Sequence, residues 1–159
     1  MNKENISQAL TTGLVAGYAG KTEFIKTNRG SFSVKSSHFE DEKIIYHDEW
    51  TKGGGQEIVK IGEESFTRVY AGGVVDKEVL EKLNITHDDV ISSLMNKIQK
   101  LGEKTRLFAN CPVDLENDWK YEYKILDQDD EISVTTGKET IKYKDQLVFT
   151  HVFVLSPIK

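Results

Sequence analysis

Two stretches of this sequence set a carboxylate and a basic side chain in the same surroundings. Gly55-Gln56-Glu57-Ile58-Val59-Lys60-Ile61 is followed by Phe66-Thr67-Arg68-Val69-Tyr70, and Gly137-Lys138-Glu139-Thr140-Ile141-Lys142-Tyr143 by Phe149-Thr150-His151-Val152-Phe153. Strand alternation puts Glu57 on one face with Val59 and Ile61, and Glu139 with Ile141 and Tyr143. The returning strands align Phe66, Arg68 and Tyr70, then Phe149, His151 and Phe153. A two-residue turn at Gly62-Glu63, with glycine at the first central position, places Glu57 opposite Arg68. A three-residue loop, Lys144-Asp145-Gln146, places Glu139 opposite His151. Two readings follow. Each pair is a polar spot on an apolar surface, able to orient a small molecule. Or each is a cross-strand charge pair that contributes about 0.2–1 kcal/mol and serves structure alone.

Alternation also puts Tyr46, Asp48 and Trp50 on one face. An aromatic–acid–aromatic row suits a cation or a planar ligand. As plain structure it is a half-buried strand whose Asp caps the glycine turn that follows. The candidate ligand-binding residues are therefore Tyr46, Asp48, Trp50, Glu57, Arg68, Tyr70, Glu139, Tyr143 and His151. No catalytic set is legible. There is no Gly-x-Ser-x-Gly elbow, and Lys52-Gly53-Gly54-Gly55 lacks the Gly-Lys-Ser/Thr ending of a phosphate loop. The histidines at 38, 47, 87 and 151 have no metal-ligand spacing. Asp127, Asp129, Asp130 and Glu131 lack the glycine of a calcium loop and read as a solvated turn. Cys111 is the single cysteine, so neither an intrachain disulfide nor a cysteine metal site forms. No metal and no cofactor are expected.

The elements that would position these residues run as helix, strands, helix, strands. Residues 3–16 read as a helix with Ile6, Ala9, Leu10 and Leu14 on one face, its end weakened by Gly13 and Gly17. Short extended segments at 23–26 and 31–35 precede a β-rich run from Lys43 to Trp50. Gly53-Gly54-Gly55 marks a turn or bulge, and the first hairpin occupies 56–61 and 64–70. Val79–Leu83 reads as a helical turn. Thr86–Leu101 reads as a helix with a Thr86/Asp89 capping box, an apolar face of Val90, Ile91, Leu94, Ile98 and Leu101, and a Gly102 C-cap. Strands are expected at about 105–109, 119–126, 131–135, 138–143 and 147–154. The step from Phe66 to Phe149 is one residue longer than the step from Gly55 to Gly137, which implies a single insertion in the second turn. The expectation is a single α+β domain over 1–159, with an internal repeat at about 1–83 and 84–159. It would consist of two pseudo-equivalent halves, each a helix packed on antiparallel strands.

Composition bounds the function. The chain has 159 residues, 30% of them charged, and a net charge of −5. That balance argues against nucleic acid, whose phosphates call for Lys and Arg. No apolar run approaches the ~20 residues of a membrane span, and the polar start lacks the apolar core of a signal peptide. A cytoplasmic protein with no membrane partner is expected.

Tyr18-Ala19-Gly20, Tyr46-x-Asp48-x-Trp50, Gly55-x-Glu57, Tyr70-Ala71-Gly72, Arg106, and Gly137-x-Glu139 with Ile141 and Tyr143 fall in an order that resembles the bacterial domain-of-unknown-function family 5680. The resemblance spans about residues 10–158. Members of that family are small bacterial proteins, or domains that follow a helix-turn-helix segment in transcriptional regulators. The resemblance implies a stand-alone version here. This chain departs from the family pattern at Gly53-Gly54 (an aromatic residue), at Leu107 (glycine) and at Leu155-Ser156 (paired glycines). The expected function is a non-catalytic small-molecule-binding or regulatory domain. The alternative is a protein–protein interaction module, an inhibitor or a homodimer, with Phe149–Leu155 as a β-rich run that exposes an edge unless paired. An enzyme using Asp48, Glu57 or Glu139–His151 ranks last.

Overall fold

A computed structural model describes residues 3–20, 23–102, 108–111 and 113–158. The elements are α1 (Lys3–Ala16), β1 (Ile25–Arg29), β2 (Phe32–Glu40), β3 (Ile44–Thr51), β4 (Gly54–Ile61), β5 (Glu64–Val74), α2 (Lys77–Lys82), α3 (His87–Leu101), β6 (Asp114–Glu116), β7 (Trp119–Asp129), β8 (Val134–Tyr143) and β9 (Gln146–Ile158). All nine strands belong to one antiparallel sheet in the order β1-β2-β3-β4-β5-β9-β8-β7-β6.

This corrects the expectation of two separate helix-on-strand halves. The join is the β5–β9 pair, in register from Ser65↔Ile158 to Val74↔Phe149. Such pairing between distant segments leaves no local sequence signal, whereas hairpins do. It also decides the edge left conditional at Phe149–Leu155, which is paired on both sides. β9 lies in the middle of the sheet, between β5 and β8, and the edges are β1 and β6.

One face of the sheet carries the helices. Ile6, Ala9 and Leu10 of α1 pack on Val59, Phe66 and Leu155, while Leu14 joins Val90, Leu94 and Ile98 of α3 over Tyr46, Tyr121, Tyr123, Phe149 and Phe153. Helix α1 has the expected bounds, with Gly13 inside it; a Cβ there would collide with the Tyr46 side chain, so glycine lets the helix lie close on β3. Helix α3 opens on the expected Thr86/Asp89 capping box and closes at Gly102 with φ +51°. Its C-terminal half is tied to β6 by charges. Lys97 Nζ lies 2.6 Å from Asp114 Oδ2 and 3.1 Å from Glu116 Oε2, and Lys100 Nζ reaches the same two carboxylates at 3.2 and 3.1 Å.

The first hairpin turn is as read: Ile61↔Glu64 closes it, and Gly62 has φ +58°. The second is not. Tyr143↔Gln146 closes a two-residue turn in which Lys144 and Asp145 both have positive φ, the type I′ geometry. The extra residue is Val148, a β-bulge skipped between Lys142↔Leu147 and Ile141↔Phe149 and wholly buried. Strand β8 runs unbroken through the expected gap at 136–137, and β6 had no sequence signal. Of the strand expected at 105–109, residues 105–107 lie outside the described residues, Arg106 and Leu107 among them, and Phe108-Ala109 form a bend.

Candidate functional site

The hairpin registers place Glu57 opposite Arg68 and Glu139 opposite His151. Because β5 and β9 are neighbours, the two pairs meet. The Arg68 side chain is fully buried. Its Nη1 lies 3.0 Å from Glu57 Oε2 and its Nη2 3.5 Å from Glu139 Oε2, so one guanidinium faces both carboxylates. Its carbon sits 4.6 Å from the Phe153 ring centre and 5.2 Å from that of Tyr70. Each carboxylate also accepts a tyrosine hydroxyl: Tyr46 Oη to Glu57 Oε1 at 2.9 Å, and Tyr121 Oη to Glu139 Oε1 at 2.7 Å. His151 Nδ1 stands 3.6 Å from Glu139 Oε2. Burial removes solvent screening, so these pairs differ from weak surface contacts. The cluster is an interior polar network beneath the helices.

Beside it lies a cavity of about 310 Å³. It is bounded by β2–β5 and β9 below, by α3 on one side, and by the segment after α1 on the other. Asp48, Trp50, Tyr70 and His151 line it; Tyr46, Glu57, Arg68, Glu139 and Tyr143 do not. Tyr46, Glu57, Arg68 and Glu139 belong to the interior network. Tyr143 is elsewhere, packed on Trp119 at 4.6 Å between ring centres, beside a shallow polar concavity of about 690 Å³ along α3 and β6. There, hydrogen bonds from Lys97 hold the Asp114 carboxyl below its ordinary range, and those from Lys100 and then Lys97 do the same for Glu116.

Among the residues that line the first cavity, Asp48, Tyr70 and His151 are buried and carry polar groups, Leu94 and Phe149 are buried and apolar, and Tyr18, Phe24 and Trp50 are half-buried. Asp48 is 2% exposed, and its Oδ1 accepts the Tyr70 hydroxyl at 3.0 Å. The glycine turn itself is engaged by Thr51, whose hydroxyl meets Gly53 N–H and Gly54 C=O at 3.4 Å. Tyr70 takes its position because it pairs with Gly55, where a Cβ would lie 2.6 Å from the Tyr70 hydroxyl. The His151 ring packs between Tyr70, at 4.7 Å, and Phe149, at 4.4 Å, so His151 touches both the cavity and the Glu139 end of the network. Trp50 meets Tyr18 and Phe24 edge-on at 5.3 and 5.0 Å.

Of the residues singled out in the sequence, Asp48, Trp50, Tyr70 and His151 line this cavity. Sequence reasoning missed Phe24, Lys35, Lys52 and the α3 residues His87, Ile91 and Met95 as cavity lining. Lys35 was legible in principle, since it pairs with Trp50 across β2–β3. Helix α3 was read only for its core face. Among the described residues no group of three or more His, Cys, Asp or Glu is arranged to hold a metal ion, and no helix is long and apolar enough to cross a membrane. No family model, curated protein or solved structure matches the chain.

Proposed function

We propose that this chain is a small-molecule-binding domain without catalysis, and that its site is the 310 Å³ cavity beneath Tyr18, Phe24 and Trp50. The observation that carries the reading is the combination of an aromatic wall with a few buried polar groups in the lining, Asp48, Tyr70 and His151. That is the usual composition of a pocket that surrounds a drug-sized ligand and fixes its orientation. The interior network supports the same reading from below. It fixes β4, β5, β8 and β9 relative to one another, so the floor is rigid before a ligand arrives. Native mass spectrometry of the recombinant protein tests this. A discrete adduct that is lost on denaturation is the expected result. A clean apo mass, with no Trp50 fluorescence response to any small aromatic compound in a Trp119→Phe background, would sink it.

The other face of the sheet supports a second reading, as a protein-interaction module. No helix covers it among the described residues. Ile58, Val69, Val152 and Val154 stand 37%, 49%, 51% and 42% exposed there, with Val69 directly opposite Val154. Two like-charge pairs flank the stripe, Lys120↔Lys142 and Lys124↔Lys138. Like charges placed opposite one another cost stability, which suits an acidic partner surface. Concentration-independent sedimentation as a monomer would remove the homodimer version of this reading.

A further inference from the structure

The charged residues that line the cavity differ in burial. Asp48, a carboxylate, is only 2% exposed. Tyr18, Phe24 and Trp50 are half-buried. Lys35, cross-strand from Trp50, and Lys52, on the turn just after β3, are exposed, so their side is the mouth and the Asp48 side the interior.

Each part selects a different piece of a ligand. A carboxylate has two oxygens with about four acceptor directions, so Asp48 can take a ligand proton alongside its protein partners. Charge-assisted hydrogen bonds to such a group are the strong ones, and low dielectric strengthens them. A protonated nitrogen held there also lies near aromatic faces, which attract cations. The cavity beside these rings, at about 310 Å³, is large enough for a flat aromatic body. At the mouth, lysine side chains are charged at neutral pH and favour an anionic group. A purely anionic ligand would bring its charge toward Asp48, and a purely cationic one would pass Lys35 and Lys52. The order of charges therefore discriminates against both.

We infer that the site takes an amphoteric aromatic molecule: a planar ring carrying a protonated amine that points inward to Asp48 and a carboxylate or phosphate that stays at the mouth with Lys35 and Lys52. This rests on the cavity being a binding site, and it adds the chemical class.

Three probes share one benzene ring and differ in the charged groups at its opposite ends: 4-(aminomethyl)benzoate, benzylamine and 4-methylbenzoate. Isothermal titration of each into the full chain reads the selection. 4-(Aminomethyl)benzoate is expected to bind tightest, at least tenfold tighter than 4-methylbenzoate. Asp48→Asn should weaken 4-(aminomethyl)benzoate and benzylamine about tenfold and leave 4-methylbenzoate unchanged or improved. The Lys35→Ala/Lys52→Ala double variant should weaken 4-(aminomethyl)benzoate and 4-methylbenzoate but not benzylamine. If Asp48→Asn does not fold, the wild-type ranking alone decides. Equal affinities for the three probes, or an unchanged ranking in a folded Asp48→Asn protein, would overturn the assignment. A co-purifying adduct together with no binding of any probe would overturn the ligand class while the binding-site reading stands. Neither adduct nor probe binding would overturn both.

Discussion

Removing the Glu57 carboxylate is the sharpest perturbation of the interior network. In Glu57→Ala the wholly buried Arg68 loses the oxygen 3.0 Å from Nη1, and the Tyr46 hydroxyl loses its acceptor at 2.9 Å. Breaking a buried ion pair from one side costs about 3–5 kcal/mol, because the surviving charge remains desolvated. The orphaned hydroxyl adds about 1–3 kcal/mol when burial persists. Arg68 keeps Glu139 at 3.5 Å, and the cavity left by the lost side chain can admit water, so the total belongs near the lower bound of about 3 kcal/mol. A domain of this size has about 5–15 kcal/mol in all. Its melting point should therefore fall by roughly 6–12 °C, at about 2–4 °C per kcal/mol. Urea unfolding followed by circular dichroism measures the loss. Glu49→Ala is the control. Its ion pair with Arg29 lies at the surface, where such a pair contributes less than about 1 kcal/mol. A Glu57→Ala loss no larger than that of Glu49→Ala would refute the claim that the network holds the floor of the site.

Three further outcomes are expected. Gly55→Ala would put a Cβ 2.6 Å from the Tyr70 hydroxyl and 2.7 Å from Trp50 Cβ; a loss of about 1–3 kcal/mol, with a shifted Trp50 emission maximum in a Trp119→Phe background, is the expected reading. Thr86→Ala removes the α3 cap and should cost about 1 kcal/mol by urea unfolding. The Asp114 and Glu116 carboxyls are held below their ordinary values by hydrogen bonds from Lys97 and Lys100. They stabilise the α3–β6 junction fully above about pH 4–5 and lose that contribution as pH falls through their lowered folded values. Asp114→Asn should therefore flatten the acid limb of a stability–pH profile, and an unaltered limb would count against the junction.

Much of the local structure was legible because it depends on near neighbours. The Thr86/Asp89 box, the apolar spacing in α3 and the glycine of the first turn each signal through a few residues. So did the pairings Glu57↔Arg68 and Glu139↔His151, since alternation and loop length set a hairpin register. The position of the inserted residue was misread, because a buried bulge at Val148 leaves the same count of residues as a longer loop. The single sheet was not legible, since Ser65 and Ile158 are joined only by tertiary structure. That join also decides the site. Once β5 lies against β9, Arg68 serves two carboxylates and the hairpin charges are sealed inside, while Asp48 and His151 remain at a cavity whose aromatic wall comes from three separate segments. The sequence row Tyr46-x-Asp48-x-Trp50 divides accordingly: Tyr46 turns to the network, and Asp48 and Trp50 to the cavity.

Chemical-shift mapping of the ¹⁵N-labelled protein during titration with 4-(aminomethyl)benzoate tests the central claim most directly. The account predicts perturbations gathered on the Trp50 indole and on the amides of Gly54, Gly72, Gly73 and His151, all of which line the cavity. Shifts confined to Val69, Val152 and Val154 on the uncovered face, or no shifts at millimolar ligand, would contradict it.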